Sequence, residues 1–148
     1  MANIVFNIAL GKIAYYAGLP LTNDALIMVP IETSGIVADS VMRDYDDLAT
    51  LLAGASNEQT TMGRKTLSSV TATVDDTNDR VNIDCADVTW TAASGNAISA
   101  VVICYDPDTT TGTDSDLIPL TKHDVSMTPD GSDFTLTVSD FVRASSAA

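Results

Sequence analysis

Residues 98–105 read Ile98-Ser99-Ala100-Val101-Val102-Ile103-Cys104-Tyr105 and are apolar on both parities: Ile98, Val102 and Cys104 on one, Val101, Ile103 and Tyr105 on the other. A strand with two apolar faces is covered on both, which predicts that this one lies at the centre of a sheet. The segments around it show the period of two that marks strands with one wet face. Val70, Ala72 and Val74 alternate with threonine and serine, the polar turn Asp75-Asp76-Thr77-Asn78-Asp79-Arg80 follows, and then come Val81, Ile83 and Cys85; together they predict a hairpin with a long polar loop. The apolar parity next shifts to Val88 and Trp90, which predicts a bulge near Ala86-Asp87. Pro129-Asp130-Gly131, between Val125/Met127 and Phe134/Leu136/Val138, predicts a last hairpin. Ala25-Leu26-Ile27-Met28-Val29 runs into Pro30 and suits an edge strand or a strand end, because proline brings no N–H to a ladder.

Only residues 43–53 carry a clear helical period. Tyr45, Leu48, Leu51 and Leu52 fall on one face, Asp44, Asp46 and Asp47 crowd the first turn, and Gly54 stands at the C′ position. The first twenty residues read either as a short helix over 8–19 ended by Gly18 and Pro20, or as an extended arm. A strand through Ala9 followed by a helical turn is the preferred reading. Strands and helices do not alternate, so nothing demands a parallel sheet. The pattern predicts a mainly β chain, an antiparallel sandwich or barrel with one short helical insertion. Residues 1–148 read as a single domain, with residues 1–20 as a candidate N-terminal arm and 144–148 as a loose tail.

The chain is 148 residues long and 45% hydrophobic, which fits one domain of ~100–200 residues with an ordinary core. Seven Lys and Arg stand against twenty carboxylates for a net charge of −13, and all of those carboxylates except Glu32 and Glu58 are aspartates. Aspartate favours turns and caps over helix or strand interiors, so this charge is expected in loops. Nucleic-acid binding runs on clustered Lys and Arg and is disfavoured. No basic n-region precedes the apolar residues of the N-terminus, and the longest apolar runs, 25–31 and 97–105, are too short to span a bilayer. Cys85 and Cys104 lie in strand-like apolar runs and are expected as plain buried thiols, with a pair or a reactive site as the alternative. Synthesis in a reducing cytoplasm follows from that usage.

No motif carries a reaction. The single histidine, His123, has no G-x-S-x-G elbow to serve and reads as a surface or strand-end residue. Cys85, Cys104 and His123 are too few and wrongly spaced for zinc. Gly63-Arg64-Lys65-Thr66 fails the phosphate-loop pattern because Arg64 stands where glycine must precede the lysine. The basic doublet is expected to pair either with the chain's own aspartates or with an acidic partner. The run from Asp106 to Asp116 offers Asp106, Asp108, Asp114 and Asp116 as weak calcium candidates. Thr111 and Leu117, however, replace the Gly and Glu of an EF-hand loop. Trp90, the only tryptophan, reads as core. No catalytic residue, metal or cofactor is assigned.

Several segments taken in order carry a resemblance: Asp44-Tyr45-Asp46-Asp47-Leu48-Ala49, Asp75-Asp76-Thr77-Asn78-Asp79-Arg80, Trp90-Thr91-Ala92, Cys104-Tyr105-Asp106-Pro107-Asp108-Thr109-Thr110, Gly112-Thr113-Asp114 and Asp130-Gly131-Ser132-Asp133. From residue 3 to residue 143 the chain resembles the capsid decoration, or cement, proteins of tailed bacteriophages. The resemblance implies a structural, non-enzymatic virion protein with a β-sandwich or jelly-roll-like fold. It would bind the outer surface of the phage head across junctions of the major capsid protein and self-associate as a dimer or trimer. The alternative is a phage tail or adhesion module that binds host glycans. On the decoration reading the partners are the viral capsid and other copies of the chain, with no nucleic acid and no membrane. Subunits of charge −13 repel, so the homo-oligomer or capsid contact is expected to be apolar or to enlist the few cations. Phe6, Tyr15, Tyr16, Arg64 and Lys65, all within residues 3–65, are the candidates. Residues 1–9 are the candidate strand-adding arm, and the Asp-rich loops from Asp75 onward are expected to face solvent.

Overall fold

The computed structural model describes residues 2–54 and 56–146. In chain order it runs β1 (Ile4–Val5), a 3-10 turn (Asn7–Ala9), α1 (Ile13–Ala17), β2 (Ala25–Glu32), α2 (Asp39–Met42), α3 (Leu48–Ala53), β3 (Lys65–Thr66), β4 (Thr71–Asp75) and β5 (Arg80–Asp84). It continues through β6 (Val88–Trp90), β7 (Ile98–Asp106), β8 (Ile118–Met127), β9 (Phe134–Leu136) and β10 (Val142–Ser145). The fold is mainly β and every strand pairing is antiparallel. A five-stranded sheet in the order β1-β8-β7-β2-β3 carries the doubly apolar β7 at its centre.

Each face of that sheet supports its own core. On one face Leu26, Met28, Val101, Ile103 and Tyr105 pack against Ile83, Cys85, Val88 and Trp90 of the smaller sheets β10-β5-β4 and β6-β9, and against Ile13 and Ala17 of α1. On the other, Ile27, Val29, Ile31, Val102 and Cys104 meet Phe6, Met42 of α2, and Leu48 and Leu51 of α3. Each large side chain so buried contributes about 1.5–3 kcal/mol of transfer free energy. The result is three layers, with the long sheet sandwiched between small sheets and short helices.

The departures from the sequence pattern have identifiable causes. Pro30 does not end β2, which runs eight residues and lies second from the sheet edge. The Pro30 carbonyl accepts from Gln59 N at 2.9 Å, so its nitrogen faces that outer side as well, and the missing N–H removes nothing from the ladder to β7. The expected helix over 43–53 is divided. Asp47 is extended (φ −145°, ψ 161°) and caps α3 by accepting from Thr50 N, while α2 forms upstream of Arg43. Gly54 is not left-handed (φ −76°); it is there because a Cβ would run into the Tyr45 ring.

The last hairpin is not formed. β8 lies between β7 and β1, and Gly131 (φ +88°) turns the chain onto the end of β6, with Gly131 N on Ala93 O and Ala93 N on Ser132 O. β9 therefore pairs with β6, and Phe134 stacks on Trp90 at 5.7 Å between ring centroids. The parity shift near Ala86-Asp87 marks passage from one small sheet to the other instead of a bulge within one strand. The N-terminus is not a free arm: Ile4 and Val5 pair with Lys122 and Thr121, and Phe6 is wholly buried beneath them. The strand also stops at Val5, short of Ala9, where a 3-10 turn replaces it. Of the expected loose tail, Ala144 and Ser145 belong to β10 and Ser146 N bonds Asp79 O, while residues 147–148 lie outside the described residues.

Candidate functional site

The Asp-rich run after β7 is a chain of self-capping turns. Asp106 Oδ1 accepts from Asp108 N at 3.0 Å, and Asp108 accepts from Thr110 N, Thr110 Oγ1 and Thr111 Oγ1. Asp116 Oδ2 accepts from Thr113 N at 2.8 Å. Asp114 turns to Arg64, whose Nη1 lies 2.6 Å from its Oδ1. The four calcium candidates thus turn to separate partners, three within their own loop and Asp114 to Arg64. Among the described residues no three of His, Cys, Asp and Glu form a metal-binding group. The Thr110 hydroxyl, followed by its backbone N–H, holds the Asp108 carboxyl below the usual range, and the Arg64 guanidinium does the same for Asp114.

Of the two partners expected for the basic doublet, Arg64 takes its own chain. It forks onto Glu58 (Nε–Oε1 2.8 Å, Nη2–Oε2 2.6 Å) and onto Asp114, bridging the turn before β3 to the loop after β7. Bidentate geometry makes this a positioning contact. Between Arg64, Thr66 and Thr109–Thr113 lies a groove of about 370 Å³ floored by Ile27 and Leu117. Its threonine hydroxyls at 109, 110, 111 and 113 already donate to Asn23 O, Asp108 and Asp116. Lys65 is half-buried in β3.

The remaining interface candidates divide by burial. Phe6 is fully buried and is withdrawn as a contact, because its ring belongs to the core under α2 and α3. Tyr16 is half-buried with its ring 4.6 Å from that of Tyr105, whose hydroxyl donates to Asp24. Tyr15 is 61% exposed. Three exposed residues near it in sequence were passed over by sequence reasoning: Ile8 (37%), Leu10 (62%) and Leu21 (53%). Among the described residues only Val41 and Val74 are exposed large apolar side chains outside this stretch. The sequence carried no signal for this, since Leu10 and Leu21 lie outside α1 at the same three- and four-residue spacing as the buried Ile13 and Ala17.

Two further groups of β8 complete the picture. Lys122 of β8 has no exposed side-chain surface, and its Nζ lies 2.8 Å from Asp39 Oδ1 and 2.6 Å from Asp124 Oδ1. His123 is not at a strand end and is half-buried. It stands mid-β8 opposite Val101, edge-on to Phe141, with Nε2 2.9 Å from Thr121 Oγ1, and lines a cavity of about 200 Å³. Burial lowers its pKa below the usual histidine value, and Lys122 lowers it further. The unfolded chain therefore binds the proton more tightly, so stability is expected to fall as pH drops below about 6.5. His123→Gln should flatten the urea midpoint between pH 7 and 5; an unchanged slope would assign the loss to other groups.

Cys85 and Cys104 are free and buried; burial pushes the Cys85 thiol up to about 11 and the Cys104 thiol higher, so both are poor nucleophiles at neutral pH. Trp90 is core, with Nε1 donating to Gly63 O at 2.9 Å. No family model, curated protein or solved structure matches the chain.

Proposed function

We propose that this chain is a structural virion protein of a tailed bacteriophage, a decoration protein that binds the outer surface of the head across capsid-subunit junctions. One observation carries the reading beyond the motif resemblance. On a chain of charge −13, Ile8, Leu10, Tyr15 and Leu21 put large apolar side chains into solvent within fourteen residues, next to a rigid three-layer body. Large apolar side chains left in solvent close together in sequence on a charged chain are the first candidates for an interaction face. The motif residues fit a scaffold role: Asp47 caps α3, and Asp75, Asp108 and Asp130 close turns by accepting from Asn78, Thr110 and Ser132. A strongly acidic subunit is repelled by packaged DNA, which favours the exterior of the shell. Binding across a junction and not to separated subunits stabilises the shell by mass action.

The test is co-sedimentation with undecorated, expanded heads. The native chain is expected to pellet with them. Leu10→Asp combined with Tyr15→Asp should lower the affinity at least tenfold while leaving the melting temperature within a few degrees, since both side chains are exposed. Failure of the native chain to co-sediment removes the proposal.

A further inference from the structure

The two edges of the central sheet are blunted. β1 and β3 are two residues long, and β3 opens with Lys65. Short edge strands and edge lysines are the usual protection against pairing with another chain. β4, the edge of the three-stranded sheet, has no such protection. It reads Thr71-Ala72-Thr73-Val74-Asp75 without lysine or proline, and it pairs with β5 in unbroken register from Thr71↔Asp84 to Asp75↔Arg80. Residues 71–74 are all exposed, Val74 at 67%. Val74 pairs with Val81 and Val81 with Ala144, and this apolar row floors a shallow groove at the tip of the sheet.

We infer that β4 is a self-association edge, at which a second copy adds its own β4 antiparallel across a twofold axis normal to the sheet. Such an axis keeps each residue on its own face, so only registers that match like parity are allowed. With Ala72 opposite Ala72 of the second copy, Thr71 faces Thr73 and Val70 faces Val74. Apolar meets apolar and hydroxyl meets hydroxyl, and the ladder stops before the left-handed Ser69 (φ 53°), so Asp75 meets no carboxylate of the second copy. The next register, centred on Thr73, sets Val70 against Asp76 and is disfavoured. Charge at this edge does not oppose a like copy. The nearest carboxylate, Asp75, is already engaged by Asn78 and Arg80, and the paired segment itself is uncharged. β4 lies outside the 3–65 stretch expected from charge placement.

This inference stands apart from the capsid reading, because its test uses the full chain alone. Sedimentation equilibrium from micromolar to millimolar concentration at 0.15 M salt, ~8 Å screening length, is expected to show a dimer. Thr73→Lys, at an exposed position, should weaken dimerisation at least tenfold with unchanged melting. Hydrogen exchange of the native chain supplies a readout that needs no variant: amides of residues 71–74 should slow as concentration rises, and those of β1 and β3 should not. A chain monomeric throughout, Thr73→Lys dimers as tight as native, or concentration-independent exchange at 71–74 each overturns it.

Discussion

Lys122→Ala is expected to destabilise the fold by about 3 kcal/mol, the low end of the range for breaking a buried ion pair by removing one partner. The ammonium is fully buried and shared between Asp39 and Asp124. Asp39 also accepts from Ala2 N at 2.6 Å, so one carboxylate joins α2, β8 and the N-terminal segment. Without the lysine, both carboxylates face each other across the vacated space. The cost stays at the low end because the Asp124 side chain is 34% exposed and can hydrate. Lys122→Met keeps the aliphatic stem and should cost less than alanine. Asp39→Asn and Asp124→Asn added to it should recover most of the loss, since the penalty belongs to unpaired charge. The pH dependence has a definite sign. Lys122 holds the Asp39 carboxyl below its ordinary value, so its contribution is complete above the unfolded value near 4 and is lost as pH falls through the lower folded value. The gap between native and Lys122→Met urea midpoints should therefore narrow below about pH 4. A loss under about 1 kcal/mol for Lys122→Ala would show that water replaces the ammonium and that the pair is not a tie between layers.

What could be read along the chain and what could not follows the range of the forces involved. The centre of the sheet was legible in residues 98–105 because burial on two faces leaves a local record, apolar on both parities. The β4–β5 hairpin was legible because a polar turn between two runs of period two is also local. Lys122 was not. Thr121-Lys122-His123-Asp124 carries no local mark of burial, which depends on Asp39 approaching from a helix 83 residues away. The pairing of β9 was missed for a similar reason. The alternation of Phe134 and Leu136 fits any vacant edge, and only β8's position between β7 and β1 directs it to β6. At the candidate site, Tyr15 read only as one of several aromatic contact candidates. Phe6 was not distinguishable from it until Ile4–Val5 paired with β8 and drew the ring beneath the sheet. Arg64 could be read as paired, but Glu58 as its first partner depends on a turn geometry that spacing does not encode.

Trp90 ties that turn to the core, and Trp90→Ala is expected to cost about 3–5 kcal/mol, the usual range for truncating a buried aromatic. The indole is buried, stacks on Phe134 across the β6–β9 pair, and donates from Nε1 to the carbonyl of Gly63. Gly63 is left-handed (φ +74°) and is followed directly by Arg64, so the indole bond fixes the point from which the guanidinium reaches Glu58 and Asp114. Trp90→Phe keeps most of the stacking and loses the donor, with an expected cost of about 1–2 kcal/mol. The two contributions separate in a double-mutant cycle. If the anchored carbonyl holds Arg64 in place, Arg64→Ala should cost less in the Trp90→Phe background than in the native chain, by at least about 0.5 kcal/mol. Urea unfolding of the four proteins measures it. Additivity within about 0.3 kcal/mol would mean that β3 and the loop after β7 hold Arg64 without help from the core, leaving the indole bond as packing alone.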